Sequence, residues 1–285
     1  MSLRTSVIAL LTALICCLAG CATMNEQQNT SSLVAFLYPK GQPRPLTAET
    51  ATLKLPVKVG IAFVPGGDAM RHGMSPIGPA PAPGMLGLPD QVRLMDEVAA
   101  HFRKYPYIKT VEVIPSNYLT PGGGFANLDA LAAMYDVDVV ALVSYDQVQH
   151  TDEGAASLLY WTIVGAYLVP GEKDSTTTFV DTAVFDVASR KLLFRAPGIA
   201  TDSAHGTAVN NSQVLRESSI AGFDTAFQQM NGNLDQALAD FKQKVKDEPD
   251  QYKVSYAEGY HGGGAYGWFL LVLLVSLWLR KRLMA

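Results

Sequence analysis

The sequence predicts an α/β fold on a mixed sheet, in the order βαβαβ, then a β meander, then a C-terminal helix. Three observations carry that expectation. Apolar runs of strand length at Val57–Val64, Ile108–Ile114 and Val137–Val148 are separated by stretches of helical period. Three more strand-like runs follow with no helical stretch between them. A helical apolar stripe then begins at Ser212 and continues through Val245.

Taken in order, "VKVGIAFV" is the first strand. Pro65 to Asp90 is dense in Pro and Gly and reads as a long loop. Pro89 to Tyr105 places Val92, Met95, Ala99 and Phe102 on one helical face. Ile108 to Ile114 is the second strand. Gly122-Gly123-Gly124 lacks the Lys and Ser/Thr of a phosphate-binding loop and reads as a connecting turn into a helix, Phe125 to Tyr135. The third strand carries "VDVVALV", nearly all apolar, as a central strand covered on both faces requires. The meander is Leu158–Leu168, Thr176–Asp186 and Lys191–Ala200, with a hairpin turn at Ala188 to Arg190. The last helix aligns Phe223, Phe227, Met230, Leu234, Leu238, Phe241 and Val245, and Asn231-Gly232-Asn233 predicts a break within it.

The chain has 285 residues and a formal charge of −4. Residues 51–248 suit one α/β domain with a sizeable core. No basic stripe crosses this middle, which argues against nucleic acid as a partner. The three cysteines, Cys16, Cys17 and Cys21, lie near the N-terminus, so the domain uses neither disulfide nor thiolate metal site. The five histidines have no metal-ligand spacing and no His-Glu-x-x-His occurs. The nearest approach to a nucleophile elbow, "GMSPI", lacks its second glycine. No cofactor and no catalytic residue is expected. One chemical alternative stands: "SYDQVQHTDE" gathers Ser144, Asp146 and His150, with Asp152 and Glu153, at a strand end where an envelope hydrolase could place its site. The other reading of that stretch is a solvated acidic loop. Asp181 and Asp186 read as exposed alternation, and Tyr160 and Trp161 as core or sheet-edge residues.

The two ends are more specific. Arg4 and the apolar run Val7–Leu18 form a signal peptide over residues 1–20, too short for an ordinary spanning helix. Leu18-Ala19-Gly20-Cys21 matches the lipobox of bacterial lipoproteins. That resemblance implies recognition of Leu18, Ala19 and Gly20 by the signal peptidase and acylation of Cys21 with palmitate-type chains. Several such chains make a stable anchor. Ala22, in place of aspartate, implies sorting to the outer membrane. An ordinary secretory signal is the alternative. Residues 21–50 read as the lipidated cysteine and a flexible tether, beginning "ATMNEQQNTSS".

At the other end, residues 249–264 read as a linker with a glycine motif, and 265–285 as a short transmembrane tail. Ala265 to Leu279 has no charge and spans roughly 22 Å as a helix, against about 30 Å of hydrocarbon. Arg280, Lys281 and Arg282 favour a cytoplasmic terminus. Gly262, Gly263 and Gly264 weaken the opposite end of the helix by about 1 kcal/mol each. The layout closely resembles the GlyGly-CTERM sorting signal read by rhombosortase, an intramembrane serine protease. Lipobox and tail together, with "YWTIVGAYLVPGEKD" and "DTAVFDVASRKLLFRA", resemble the rhombotarget lipoproteins. The resemblance implies cleavage near Gly262 to Ala265. A permanent second anchor is the alternative for the tail. Loss of both ends removes four positive charges from a total of −4 and leaves an acidic body near −8.

The expected protein is therefore a cell-envelope lipoprotein. Its precursor sits in the cell membrane facing the periplasm, and its mature form in the outer membrane or at the cell surface. Its partners are the bilayer, the lipoprotein-processing enzymes and a rhombosortase-type protease. The expected role is a non-catalytic accessory or assembly protein; the alternatives are the hydrolase above and a helper of the sorting protease.

Overall fold

Successive residues of a strand point to opposite faces of its sheet. In "VKVGIAF" both faces are largely apolar, so this strand needs cover above and below. A computed structural model describes residues 24–39, 50–66, 70–72, 86–153, 172–206 and 211–260. Its elements are β1 (Met24–Ser31), α1 (Leu33–Leu37), β2 (Ala51–Leu55), β3 (Val57–Phe63), β4 (Met70–His72), α2 (Leu88–Phe102), β5 (Ile108–Ile114), α3 (Gly124–Tyr135), β6 (Val139–Glu153), β7 (Glu172–Asp186), β8 (Lys191–Gly206), α4 (Asn211–Asp247) and β9 (Tyr252–Tyr256).

Seven strands form one mixed sheet. β3 pairs in parallel with β5 on one side and with Val139–Val143 of β6 on the other. β6, β7 and β8 then run antiparallel as long neighbours. The expected meander strand Leu158–Leu168 lies outside the described residues.

The sheet has two apolar faces, and the parity of β6 shows why. Val139, Ala141, Val143 and Tyr145 join one core with β3, β7, α2 and α4. Val140 and Leu142 join the other, with Ala62, Ile114, α1 and α3. The result is a three-layer α/β/α arrangement. Among the described residues, no helix is long and apolar enough to cross a membrane.

Four sequence expectations are corrected. Residues 24–31 of the expected tether are strand β1, antiparallel to Tyr145–Asp152 of β6, with β4 from the Pro-rich loop outside it. The reason is length. β6 extends far beyond β3, and its outer N–H and C=O groups need partners. The polar residues of β1 serve this: Ser31 Oγ accepts from Tyr145 N at 2.9 Å, and Gln28 Nε2 donates to Asp146 Oδ1 at 2.9 Å. The expected linker contains β9, which pairs in parallel with β2 and buries Tyr252. The expected break at Asn231–Asn233 does not occur, and α4 runs unbroken. Met230 and Leu234, fully buried on either side, hold the turn against the sheet, while Asn233 Nδ2 donates to Pro197 O of β8 at 2.7 Å. Tertiary packing outweighs a propensity cost of about 1 kcal/mol.

Asp181 and Asp186 are the fourth correction, because both are buried, at 7% and 3% exposure. Asp186 Oδ2 accepts from Ser189 N at 3.0 Å and closes the β7–β8 turn. Asp181 is held by Arg195 across the ladder, with Nη2 2.9 Å from Oδ2 and Nε 3.3 Å from Oδ1. Burial pushes the Asp181 carboxyl up, and Arg195 pulls it back. Arg195→Met is expected to cost about 1–3 kcal/mol at neutral pH, the cost of a buried acceptor left unpaired. Without Arg195 the folded pKa of Asp181 rises further above its unfolded value. The deficit is then complete above that folded pKa and fades as pH falls through it. Urea denaturation of both proteins between pH 4 and 8 reads this directly.

A polar seam sets α4 on the sheet. Gln147 Nε2 donates to Thr178 Oγ1 at 2.7 Å and to Ser219 O at 3.1 Å, while Ser219 Oγ donates to Gln147 Oε1 at 2.6 Å. Two strand residues on, Gln149 Nε2 donates to Leu215 O at 2.8 Å. Two residues of strand span roughly 6.7 Å and four residues of helix roughly 6 Å, so the two repeats match.

Candidate functional site

Leu234, Leu238, Phe241 and Val245 keep one face of α4 apolar to its end. Leu234 seals against the sheet. Beyond it α4 and the β2–β9 ribbon stand apart and leave a groove of about 450 Å³. Its floor is the sheet: Val57 and Val59 of β3, Val139 of β6, Val184 of β7 and Leu193 of β8. Leu238, Phe241 and Val245 make one wall, and Leu53, Leu55, Val254 and Tyr256 the other. Phe102, Tyr107 and Ile108 close one end. At its far end the ribbon is closed by Ala257 N donating to Leu55 O at 2.9 Å, and Tyr260 Oη, just beyond β9, donates to Pro106 O at 3.3 Å and ties it to the body.

Polar groups gather at one edge. Lys242 and Lys246 line the groove and are exposed. They are four residues apart, so they share one side of α4. Lys242 Nζ lies 4.5 Å from the centre of the Tyr107 ring, which stacks on Tyr105 at 5.3 Å. Tyr105 Oη donates to Asp235 Oδ1, and His101 Nε2 lies 2.8 Å from the same oxygen. These bonds, the tyrosine first, hold the Asp235 carboxyl below the usual carboxylate range. Tyr107 differs from Tyr105. Its hydroxyl oxygen is buried and has no hydrogen-bond partner among the described residues. Burial first, then neighbouring Tyr105 and Asp235, pushes its phenol well above the ordinary value, so it remains an O–H donor across physiological pH.

A second cleft, of about 460 Å³, lies beyond the ribbon and is lined by Lys54, Lys58 and Lys109 together with Asp138 and Glu258. Its two carboxylates offset two of its three ammonium groups, and Lys58 is already paired with Asp136 at 2.5 Å.

The residues singled out from sequence fall elsewhere. Ser144, Asp146 and His150 share one face of β6 but are strung along it. At about 3.3 Å per residue, Ser144 and Asp146 are roughly 7 Å apart and Asp146 and His150 roughly 13 Å. Each has its own neighbour: Asp181 O at 3.5 Å from Ser144 Oγ, Gln28 for Asp146, and Glu26 Oε2 at 3.8 Å from His150 Nδ1. They do not converge into a relay. The strand end expected to hold a ligand is occupied by β1. Among the described residues no three His, Cys, Asp or Glu side chains group as metal ligands. Gly123 N donates to Thr120 O at 2.8 Å, so the glycine run is the connecting turn expected. Leu18, Ala19, Gly20 and Cys21 lie outside the described residues, as do Gly262, Gly263, Gly264, Ala265, Arg280, Lys281 and Arg282.

Sequence reasoning missed Tyr107, Lys242 and Lys246. The available signal was "FKQKVK", two lysines at i and i+4 beside the apolar stripe, which also describes any solvated helix end. No protein-family model matches the chain, and no curated protein matches it.

Proposed function

We propose that this chain is a bacterial cell-envelope lipoprotein whose C-terminal tail is removed by a rhombosortase-type protease, and whose folded domain is a non-catalytic accessory of the envelope. The observation that carries the reading is the pairing, in one chain, of Leu18-Ala19-Gly20-Cys21 with Gly262-Gly263-Gly264, an uncharged run and Arg280-Lys281-Arg282. In this reading Cys21 carries the lipid, the cut falls near Gly262 to Ala265, and the basic cluster fixes orientation until cleavage. A binding role for the domain is supported by a groove with apolar walls, while Ser144, Asp146 and His150 lie strung along the other face of the sheet.

Mass spectrometry of both terminal peptides, from protein isolated out of its native membranes, tests this. The expected result is an acylated Cys21 at the N-terminus and a C-terminus between Gly262 and Ala265. A mature pool ending at Ala285 overturns the sorting reading. An unmodified Cys21 overturns the lipoprotein reading.

A further inference from the structure

We propose that the groove beneath the β2–β9 ribbon binds one long-chain fatty acid, its alkyl chain along the sheet and its carboxylate at Lys242, Lys246 and Tyr107. The proposal goes beyond the envelope role above and stands on the geometry of the domain, whatever happens to the tail.

Protein interiors hold few voids larger than a water molecule. A groove of about 450 Å³ walled by branched and aromatic side chains is therefore a built feature, within the range of about 300–1,000 Å³ typical of small-molecule sites. Its floor offers no hydrogen-bonding side chain: Val57, Val59, Val139, Val184 and Leu193 are all aliphatic. A ligand lying there must be apolar along its length. The volume is near the lower end of that range, which suits a single chain.

The rim sets the head group. Lys242 and Lys246 have no carboxylate within ion-pair distance among the described residues, so both charges are available to a ligand. Tyr107 adds a buried hydroxyl with no hydrogen-bond partner among the described residues. Leaving such a group unpaired costs about 1–3 kcal/mol, and an acceptor on the ligand removes that cost. Two ammonium groups and one phenol O–H are donors only or donate here, so the matching head is an acceptor with negative charge. A carboxylate presents two oxygens with about four lone-pair sites, enough for all three. Both lysines line the groove and are exposed, and long cationic side chains favour laying their stems on apolar surface with the charge in water.

The test uses the full chain in native membrane vesicles and a palmitate analogue with a photoreactive diazirine near its methyl end. After illumination, labelled peptides are mapped by mass spectrometry. Labelling is expected on groove segments 53–59, 238–245 and 252–256. Excess palmitate should suppress it, and excess monopalmitoylglycerol, which is neutral, should not. The double variant Lys242→Glu/Lys246→Glu is expected to lose about tenfold or more of the labelling at these segments. Val254→Trp, at the exposed edge of the groove, should block it by filling. Both variants alter exposed positions, and unchanged thermal melting shows that they fold. Labelling absent from the groove overturns the proposal, as does equal competition by the neutral lipid or full labelling of the charge-reversed variant. None of these outcomes depends on where the C-terminus is cut.

Discussion

Phe227→Ala is expected to cost about 3–5 kcal/mol of folding stability, the range for truncating a large aromatic in a close-packed core. Phe227 is fully buried on α4. Its ring lies 5.8 Å from that of Phe63 at the end of β3, and Phe63 in turn packs edge-on to Tyr145 of β6. Phe227 thus joins the long helix to β3 and, through Phe63, to β6. Alanine gains a few tenths of a kcal/mol in helix propensity, far too little to offset the cavity. For a domain of this size the loss corresponds to a fall in Tm of roughly 10 °C or more. Phe179→Ala is the control. Phe179 lies on β7 with 36% exposure, and its truncation should stay within about 1 kcal/mol. Equal effects at the two positions would mean that α4 does not dock on the sheet through this face.

That docking was legible in the sequence because it rests on period. Phe223, Phe227, Met230, Leu234 and Leu238 repeat at helical spacing, and all five are buried. The run "VDVVALV" likewise announced a strand covered on both faces, and β6 feeds both cores. Elements defined by what they complete were not legible. Nothing in "MNEQQNTS" marks a strand; it becomes one because β6 outruns β3 and presents an unpaired edge. Nor does "YKVSY" alone declare itself the partner of β2, some 200 residues earlier in the chain. Asp181 looked exposed by alternation, but alternation assumes one solvated face, and here Ala183 and Phe185 on the same face of β7 pack into the core with α1 and α3 while Arg195 pairs with the carboxylate.

The groove was hidden for a related reason. Each of its walls is an ordinary apolar stripe, and only the angle between α4 and the ribbon turns two stripes into a cleft. Sequence pattern reports which face of an element is apolar. It does not report how far apart two such faces are held. Ser144, Asp146 and His150 show the converse: neighbours in a strand sequence look clustered on paper, yet the extended backbone draws them apart.

Gly198→Ala is expected to destabilise by about 3 kcal/mol, at or beyond the upper end of overpacking effects. A Cβ at Gly198 would lie 2.1 Å from Ala226 O, 2.8 Å from Met230 N and 2.9 Å from Met230 Cβ. Two of these are backbone atoms of α4, which cannot rotate aside. The strand cannot easily withdraw either. Pro197 O accepts from Asn233 Nδ2 at 2.7 Å, and Ile199 N donates to Gln229 Oε1 at 2.6 Å, so β8 is fastened to α4 on both sides of the glycine. Moving the strand outward by the distance a methyl needs would break one of these bonds or shift Met230, whose side chain is fully buried. Two other glycines isolate this cause. At Gly222 the new Cβ meets Thr178 Oγ1 at 2.5 Å, a side chain that yields by rotation but would then give up its bond from Gln147, so a smaller loss is expected. At Gly232 nothing lies within 4 Å, and the residue is in the interior of α4. There alanine should stabilise by roughly 0.5–1 kcal/mol, because it removes backbone freedom from the unfolded chain and adds no contact. Three Gly→Ala substitutions of the same chemistry thus have opposite expected signs, and chemical denaturation of the three proteins ranks them. If Gly198→Ala matched Gly232→Ala, the close approach of β8 to α4 would be ruled out, and with it the placement of the helix that forms one wall of the groove.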